Sequence, residues 1–436
     1  MDTPVIVPAD VAFMLVATAF VLLMTPALAF FYGGLVRSKN ALNTMMMSVA
    51  ALGFVSVAWA LLGYSLAFAA GSPALGDLSK AFLAGVGLEA QGTIPQILFM
   101  AYQGTFAIIT AALISGAIVE RMRFLPYLVF ITLWSLVVYA PVAHWVWGGG
   151  FLAKLGALDF AGGTVVHVNA ATAALVAALV IGQRKDYARQ AILPHNVPFV
   201  LLGAGLLWFG WFGFNAVSAL AANASASLAF VNTMLAPAGT LVVWTLLDIV
   251  RSRKATAVGA ATGIVVGLVA ITPAAGFISP MAALVLGAVA AIPSYFALVF
   301  RARTALDDSL DVVAAHGVGG TVGALLTGVL ASKAWNGTVD GLLYGNPGQL
   351  AIQAVAVVAT IAYSAVASYL LLKLINLVMP LKAATREEGL GLDVSQHGEE
   401  AYADDEGAIL ILQRPDAAAS QPATVLTAAT AEGGRS

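Results

Sequence analysis

The chain has 436 residues, 60% of them hydrophobic and only 10% charged, with a mean hydropathy of +0.92, so it lacks the polar surface that a soluble globule of this size needs. A net charge of -2 and a pI near 6.2 leave no basic stripe to neutralise phosphates, which argues against a nucleic-acid partner. With no cysteine in the sequence, disulfides and thiolate metal sites are excluded.

The apolar blocks are longer and more continuous than the alternating segments of an outer-membrane barrel, and each approaches the roughly 20 residues that a helix needs to cross a bilayer core. The expected class is an all-α polytopic membrane protein. The opening MDTPVIVPAD lacks the basic stretch of a cleaved leader, so the first block reads as a retained span. In chain order the blocks fall at roughly 9 to 33, 41 to 70, 94 to 119, 124 to 147, 162 to 182, 196 to 219, 228 to 250, 256 to 273, 279 to 300, 309 to 332 and 349 to 380. That makes eleven transmembrane helices.

Basic residues in alternate loops set the orientation, because such loops are retained in the cytoplasm. One set holds Arg37, Lys39, Arg121, Arg123, Arg184, Lys185, Arg189, Arg251, Arg253, Lys254, Arg301 and Arg303; the other holds only Lys80, Lys154 and Lys333. Twelve against three puts the N-terminus outside and, after an odd number of spans, the C-terminus in the cytoplasm. The expected location is the plasma (inner) membrane, multi-pass. The first ten spans split into two fives, about 9-182 and 196-332, whose corresponding helices run in opposite senses, an inverted 5+5 repeat plus a final helix at 349-380. Residues 1-380 would thus form the transmembrane domain, 381-404 a cytoplasmic regulatory tail, and 405-436, rich in Ala, Thr, Gly and Asp, a disordered end.

Ionisable groups inside spans are costly and usually functional. Each fifth span of a half carries one histidine among small residues, His167 in GGTVVHVNAATA and His316 in VAAHGVGGTVGA. Two neutral imidazoles can share a proton and present their other nitrogens to a small polar molecule; each could instead be a structural histidine bonded to a neighbouring carbonyl. Asp159 stands just before the fifth span, ahead of Gly162 and Gly163, where it reads either as a helix cap or as a cation attractant. Tyr102 and Phe106 lie four apart, as do Phe214 and Ser218, and Trp147 ends the fourth span. Such aromatics with one hydroxyl suit a cage for a small cation, or else an ordinary belt of interfacial rings. Asp248, Asp307, Asp308 and Asp311 read as capping or loop contacts. His144 reads as packing, His195 as a loop residue and His397 as part of the tail. No nucleophile is paired with a base and no metal constellation is visible, so neither an enzyme nor a cofactor is expected.

The strings YQGTFA, ERMRF, HWVWGGG, GALDFAGGTVVHVNA, PHNVPFV, GWFGFNA, AFVNT, the run from Asp307 to Asp311, HGVGG and EGLGLDVSQHGE follow one another in the chain. Together, over residues 9 to 404, they resemble the ammonium transporters of the Amt/Mep/Rh superfamily, in the bacterial Amt branch. The resemblance implies a homotrimer with one narrow pore per subunit. It implies that Tyr102, Trp147 and Ser218 form an external ammonium site, that Phe106 and Phe214 form a stacked gate, and that His167 and His316 line the pore. Asp159 would support the outer site, with Gln103, Trp211 and Thr272 as nearby pore or vestibule residues. Tyr102 stands where bacterial members often carry Phe, which adds a hydroxyl to the cage. The resemblance also implies a PII-type nitrogen signalling protein inserting a loop at the cytoplasmic pore exit, sensed by tail residues 386 to 402. The expected activity is capture of ammonium, its deprotonation, and passage of ammonia with the proton relayed; a passive ammonia channel and an ammonium sensor are the alternatives.

Overall fold

The computed structural model describes residues 5–402; the disordered end expected at 405-436 lies outside the described residues. Among the described residues, ten helices are long and apolar enough to cross a membrane: α1 (Pro8–Leu35), α2 (Ser38–Phe68), α3 (Gln96–Ala117), α4 (Phe124–Leu155), α5 (Gly163–Ile181), α6 (Val197–Ala219), α7 (Ala224–Ser252), and, beyond α8 (Ala257–Ile271), α9 (Pro280–Arg301), α10 (Val313–Leu330) and α11 (Pro347–Val378). The difference from eleven lies at α8, which has 15 residues and so extends only about 22 Å at 1.5 Å per residue. Its helix stops at Thr272 because Pro273 cannot continue it, and a run of turns follows. Two short tail helices, α12 (Thr385–Leu390) and α13 (Leu392–His397), complete the described chain.

Helix starts follow local chemistry. Proline occupies the first turn of α1, α6, α9 and α11, where its missing N–H would have had no partner anyway. Side-chain oxygens of Asn196, Asn223, Thr256 and Ser279 accept the N–H groups of Phe199, Ala226, Gly259 and Ala282, capping α6, α7, α8 and α9. In the absence of water, packing relies on close backbone approach. Along α6, Gly203, Gly210 and Gly213 abut Phe31, Met24 and Ala17 of α1, leaving no room for a Cβ. The two most enclosed spans are α3 and α5, with 83% and 78% of their apolar stretch buried, against 33% for α2 and α11; residues meant for a central path therefore belong on α3 and α5.

At the end bearing the basic loops, Glu120 sits at φ +67, a left-handed conformation that a non-glycine residue holds only when its surroundings enforce it. Its fully buried carboxylate accepts from Arg37 Nε at 2.9 Å, Asn40 Nδ2 at 2.9 Å and Arg184 Nη1 at 2.5 Å. Arg184 in turn reaches Asp307 at 2.7 Å, and Arg121 donates to the Asp307 carbonyl and to Ser309. Burial alone would raise the Glu120 carboxyl, but Arg184 and Arg37 outweigh it and hold it below its ordinary value; the same balance, set by Arg184 and Arg121, depresses Asp307. Since both native values lie below the unfolded ones, the contribution of this network is complete above the unfolded carboxylate range and is lost as pH falls through the depressed values. Replacing Arg184 by alanine leaves two buried carboxylates without their shared partner, and we expect a loss of about 3 kcal/mol or more, read as a lower thermal midpoint in detergent, with the wild type converging on the variant as the pH is lowered. An unchanged midpoint would mean that the network carries no net stability.

The tail docks at the same end. Asp393 accepts the N–H groups of Leu42 and Asn43 near the start of α2 at 3.0 and 2.7 Å, Gln396 accepts from Phe124 N at the start of α4 at 3.1 Å, and Glu388 accepts from Lys185 N at 2.7 Å. Lys39 Nζ donates to the carbonyls of Glu388 and Gly389. Gly391 lies at φ +113 with Lys39 against it, where any side chain would be both strained and obstructed.

Candidate functional site

The chain enters α5 through Gly162 at φ +112, a position where a Cβ would strike Val166 and approach the Trp147 ring. The Asp159 carboxylate accepts four N–H groups, from Gly162, Gly163, Thr164 and Val165, at 2.6 to 3.0 Å. It is the cap, and its own carbonyl accepts the Trp147 indole N–H at 2.8 Å. The first turn of α5, Gly163–Val168, is a π-turn that carries His167; such widened turns recur at functional sites. The start of α10 is built alike. Asp308 accepts from Val312 and Val313 at 3.1 and 2.7 Å, and the π-turn Val313–Val318 carries His316. In each case the histidine follows its aspartate by eight positions (167 − 159 and 316 − 308).

These two turns bring the imidazoles together. Nδ1 of His316 lies 3.2 Å from Nδ1 of His167, with the ring centroids 5.2 Å apart and both residues buried. One Nδ1 must donate and the other accept, so the pair offers one donor and one acceptor at its two Nε2 atoms. His167 Nε2 is buried without a hydrogen-bond partner among the described residues. Trp211 stacks on His167 at 5.4 Å and 22°, and its indole N–H donates to Thr272 Oγ1 at 2.9 Å. Trp211 therefore braces the histidine from the side and is itself held by Thr272. Both histidines line a cavity of about 10 Å³ whose other walls include Met24, Leu28, Phe31, Ile109 and Leu113, room for roughly one water-sized molecule.

Above the histidines the rings close ranks. Phe106 and Phe214 stack at 4.1 Å and 22°, Phe214 lies 6.0 Å from His167, and Phe106 meets Tyr102 at 4.9 Å and Trp147 at 5.9 Å, edge to face. Stacked rings at that spacing leave no gap for a hydrated ion. The Tyr102 hydroxyl lies 3.1 Å from Ser218 Oγ and 3.2 Å from the Phe214 carbonyl. Tyr102 is fully buried, whereas Ser218 and Trp147 are half-buried. Gln103 is buried beside them, its Oε1 without a partner among the described residues. Thus Tyr102, Phe106, Trp147, His167, Trp211, Phe214, Ser218, Thr272 and His316 form one continuous column. The two ring nitrogens of His144 lie 3.0 and 2.9 Å from the Ala67 and Ser72 carbonyls, and its ring N–H donates to one of them, a packing role.

On the far side of His316 a vestibule of about 460 Å³ opens, lined among others by Tyr32, Arg184, Asp248, Tyr295, Arg301 and Asp311. The sequence offered no signal for the apolar walls of the narrow cavity, because Leu28 or Val265 in a pore is the same residue as in a helix contact. Asp308 had a signal, the repeat of the spacing from Asp159 to His167.

The model of the Ammonium Transporter Family matches residues 12–402. The chain belongs to that family. It is a family of transporters rather than of enzymes, and this member is a multi-pass helical membrane protein. A protein of Aquifex aeolicus named ammonium transporter is 50% identical over 400 residues, covering 90% of this chain and 93% of that one. Among solved structures, Mep2 of Saccharomyces cerevisiae superposes with a TM-score of 0.85 at 36% identity, covering 92% of each chain. A structure titled Sensor Amt Protein gives a TM-score of 0.83 at 29% identity, over 89% of this chain and 98% of that one.

Proposed function

We propose that this member of the ammonium transporter family captures ammonium at Tyr102, Trp147 and Ser218, strips its proton at the Phe106–Phe214 gate, and conducts ammonia past His167 and His316 while the proton is relayed by the histidine pair. The observation that supports it most is the buried imidazole pair at 3.2 Å, walled by apolar side chains behind stacked rings. A dry site disfavours a lone cation and so lowers the ammonium pKa, each unit being about 1.4 kcal/mol. Potassium has no proton to give up, so the same barrier excludes it.

The deciding experiment records currents from proteoliposomes on a supported membrane after ammonium pulses, with potassium as control. Ammonium-evoked current without potassium current supports the relay. Ammonia uptake without current would replace it by a passive channel, and neither uptake nor current would leave the sensor reading. The 50% identity to a named transporter against 29% to a named sensor favours transport.

At the outer cage, Ser218→Ala and Trp147→Leu remove the hydroxyl and the ring face that a cation would use. We expect each to raise the ammonium concentration at half-maximal current about ten-fold, as losing about 1.4 kcal/mol does. Tyr102→Phe keeps the ring and removes only the hydroxyl with its contacts to Ser218 and the Phe214 carbonyl, so a shift below about three-fold is expected. A larger effect from Tyr102→Phe than from Trp147→Leu would make the Tyr102 hydroxyl, and not the Trp147 ring, the main cation contact of the cage.

The basic loops support a cytoplasmic vestibule and docked tail, with the N-terminus outside, in the plasma (inner) membrane; accessibility labelling of Lys80 and Arg253 sites exchanged for cysteine reads this directly. The matched Asp159–His167 and Asp308–His316 segments support the inverted halves at about 9-182 and 196-332. A homotrimer is the proposed assembly, checked by light scattering in detergent. The vestibule and tail residues 386 to 402 offer a PII-type protein its contact, and a tail deletion that leaves PII capture and transport unchanged refutes that role.

A further inference from the structure

The vestibule beyond His316 carries a second grouping of aromatic rings and a carboxylate. On α7, Trp244 and Asp248 are one turn apart, so they share a face. Trp244 meets Tyr295 of α9 edge to face at 5.1 Å and 75°, and the Tyr295 hydroxyl faces the Asp248 carboxylate. Thr256, at the start of α8, donates its hydroxyl to Asp248 Oδ2 at 2.6 Å. All four residues line the same 460 Å³ cavity as His316.

Charge accounting separates Asp248 from its neighbours. Of the other charged groups lining the vestibule, Arg184 is held by Glu120 and Asp307, and Arg301 pairs with Asp311 at 2.7 Å. None of the ion pairs among the described residues includes Asp248. Yet Asp248 is more than nine-tenths buried. The Thr256 cap satisfies part of its hydrogen bonding but none of its charge. A carboxylate without a counter-charge, walled by two aromatic rings in a cavity wide enough for a hydrated ion, attracts a small monovalent cation.

We propose that Trp244, Asp248 and Tyr295 form a release-side cation site, which holds ammonium re-formed after ammonia has passed His316. The proposal rests on the transport reading above. The carboxylate favours the charged form, which the narrow cavity rejects, so occupancy of the site opposes return through the pore. It also makes accumulated internal ammonium an inhibitor of further uptake.

Two measurements on the full chain test it. In unidirectionally oriented proteoliposomes preloaded with ammonium, the internal concentration that halves the ammonium-evoked current rises about ten-fold in Asp248→Asn and returns toward wild type in Asp248→Glu. Thr256→Val, which removes the cap contact and keeps the carboxylate, gives no such shift; an equal shift there would assign the effect to the start of α8 and overturn the site. Crystals of the wild type soaked in thallous ion are expected to show anomalous density within reach of Asp248. This arm needs no transport, so it stands even where Asp248→Asn fails to fold. Absence of current in the wild type would defeat the transport reading. Wild-type current with no Asp248→Asn shift and no thallium in the vestibule would defeat this site alone.

Discussion

Ammonium-evoked current falls at least about a hundredfold when His167 or His316 is replaced by alanine, the scale on which a positioned acid–base group acts. The two rings meet through a single Nδ1–Nδ1 contact at 3.2 Å, so removing either leaves the other without its proton partner. The double replacement is therefore expected to cost little more than either single one, because groups that act as a unit lose their function once. Alanine also removes a wall of a cavity that now holds about 10 Å³. The enlarged space admits water, and a hydrated path no longer requires a proton to be left behind, so any residual current loses its preference over potassium. Full current in both single variants, with potassium still excluded, would take the histidines out of the conducting path.

Much of this arrangement is legible before any coordinates, and the reasons differ by residue. Span limits such as Val197–Ala219 and Pro280–Arg301 follow the sequence closely because hydrocarbon tolerates so few polar residues that a helix ends where they begin. Asp159 is readable as a cap because two glycines follow it and a histidine lies two turns on. The π-turns at both histidines are not readable, since a widened turn is chosen by packing and leaves no residue signature. The α8 block is also readable, at roughly 256 to 273 against the observed Ala257–Ile271, because Pro273 marks where the helix must end. Trp211 and Thr272 were expected near the pore, but their bond to each other, which fixes the ring stacked on His167, depends on two helices meeting. The ion network of Glu120, Arg184 and Asp307 joins residues up to 187 positions apart (307 − 120), a distance that no local pattern encodes.

Asp159→Ala is expected to destabilise the protein by about 3 kcal/mol or more and to abolish current with it. Four N–H groups at the start of α5 lose their acceptor together; a missing cap costs about 0.5 to 2 kcal/mol, and each further buried orphan adds about 1 to 3 kcal/mol where water cannot reach it. The damage does not stay local. His167 lies on the turn that the cap holds, and the Asp159 carbonyl anchors the Trp147 indole, so the outer cage and the histidine pair shift with the same backbone. Asp159→Asn removes the charge but only half of the cap, since its amide nitrogen cannot accept the two N–H groups that one carboxylate oxygen holds. It keeps one acceptor oxygen and the shape of the side chain while removing the negative charge. If Asp159 acts through the cap, loss of current follows loss of thermal midpoint across Asn and Ala. A variant with a near-normal midpoint and no current would instead make the carboxylate an electrostatic partner of the passing cation.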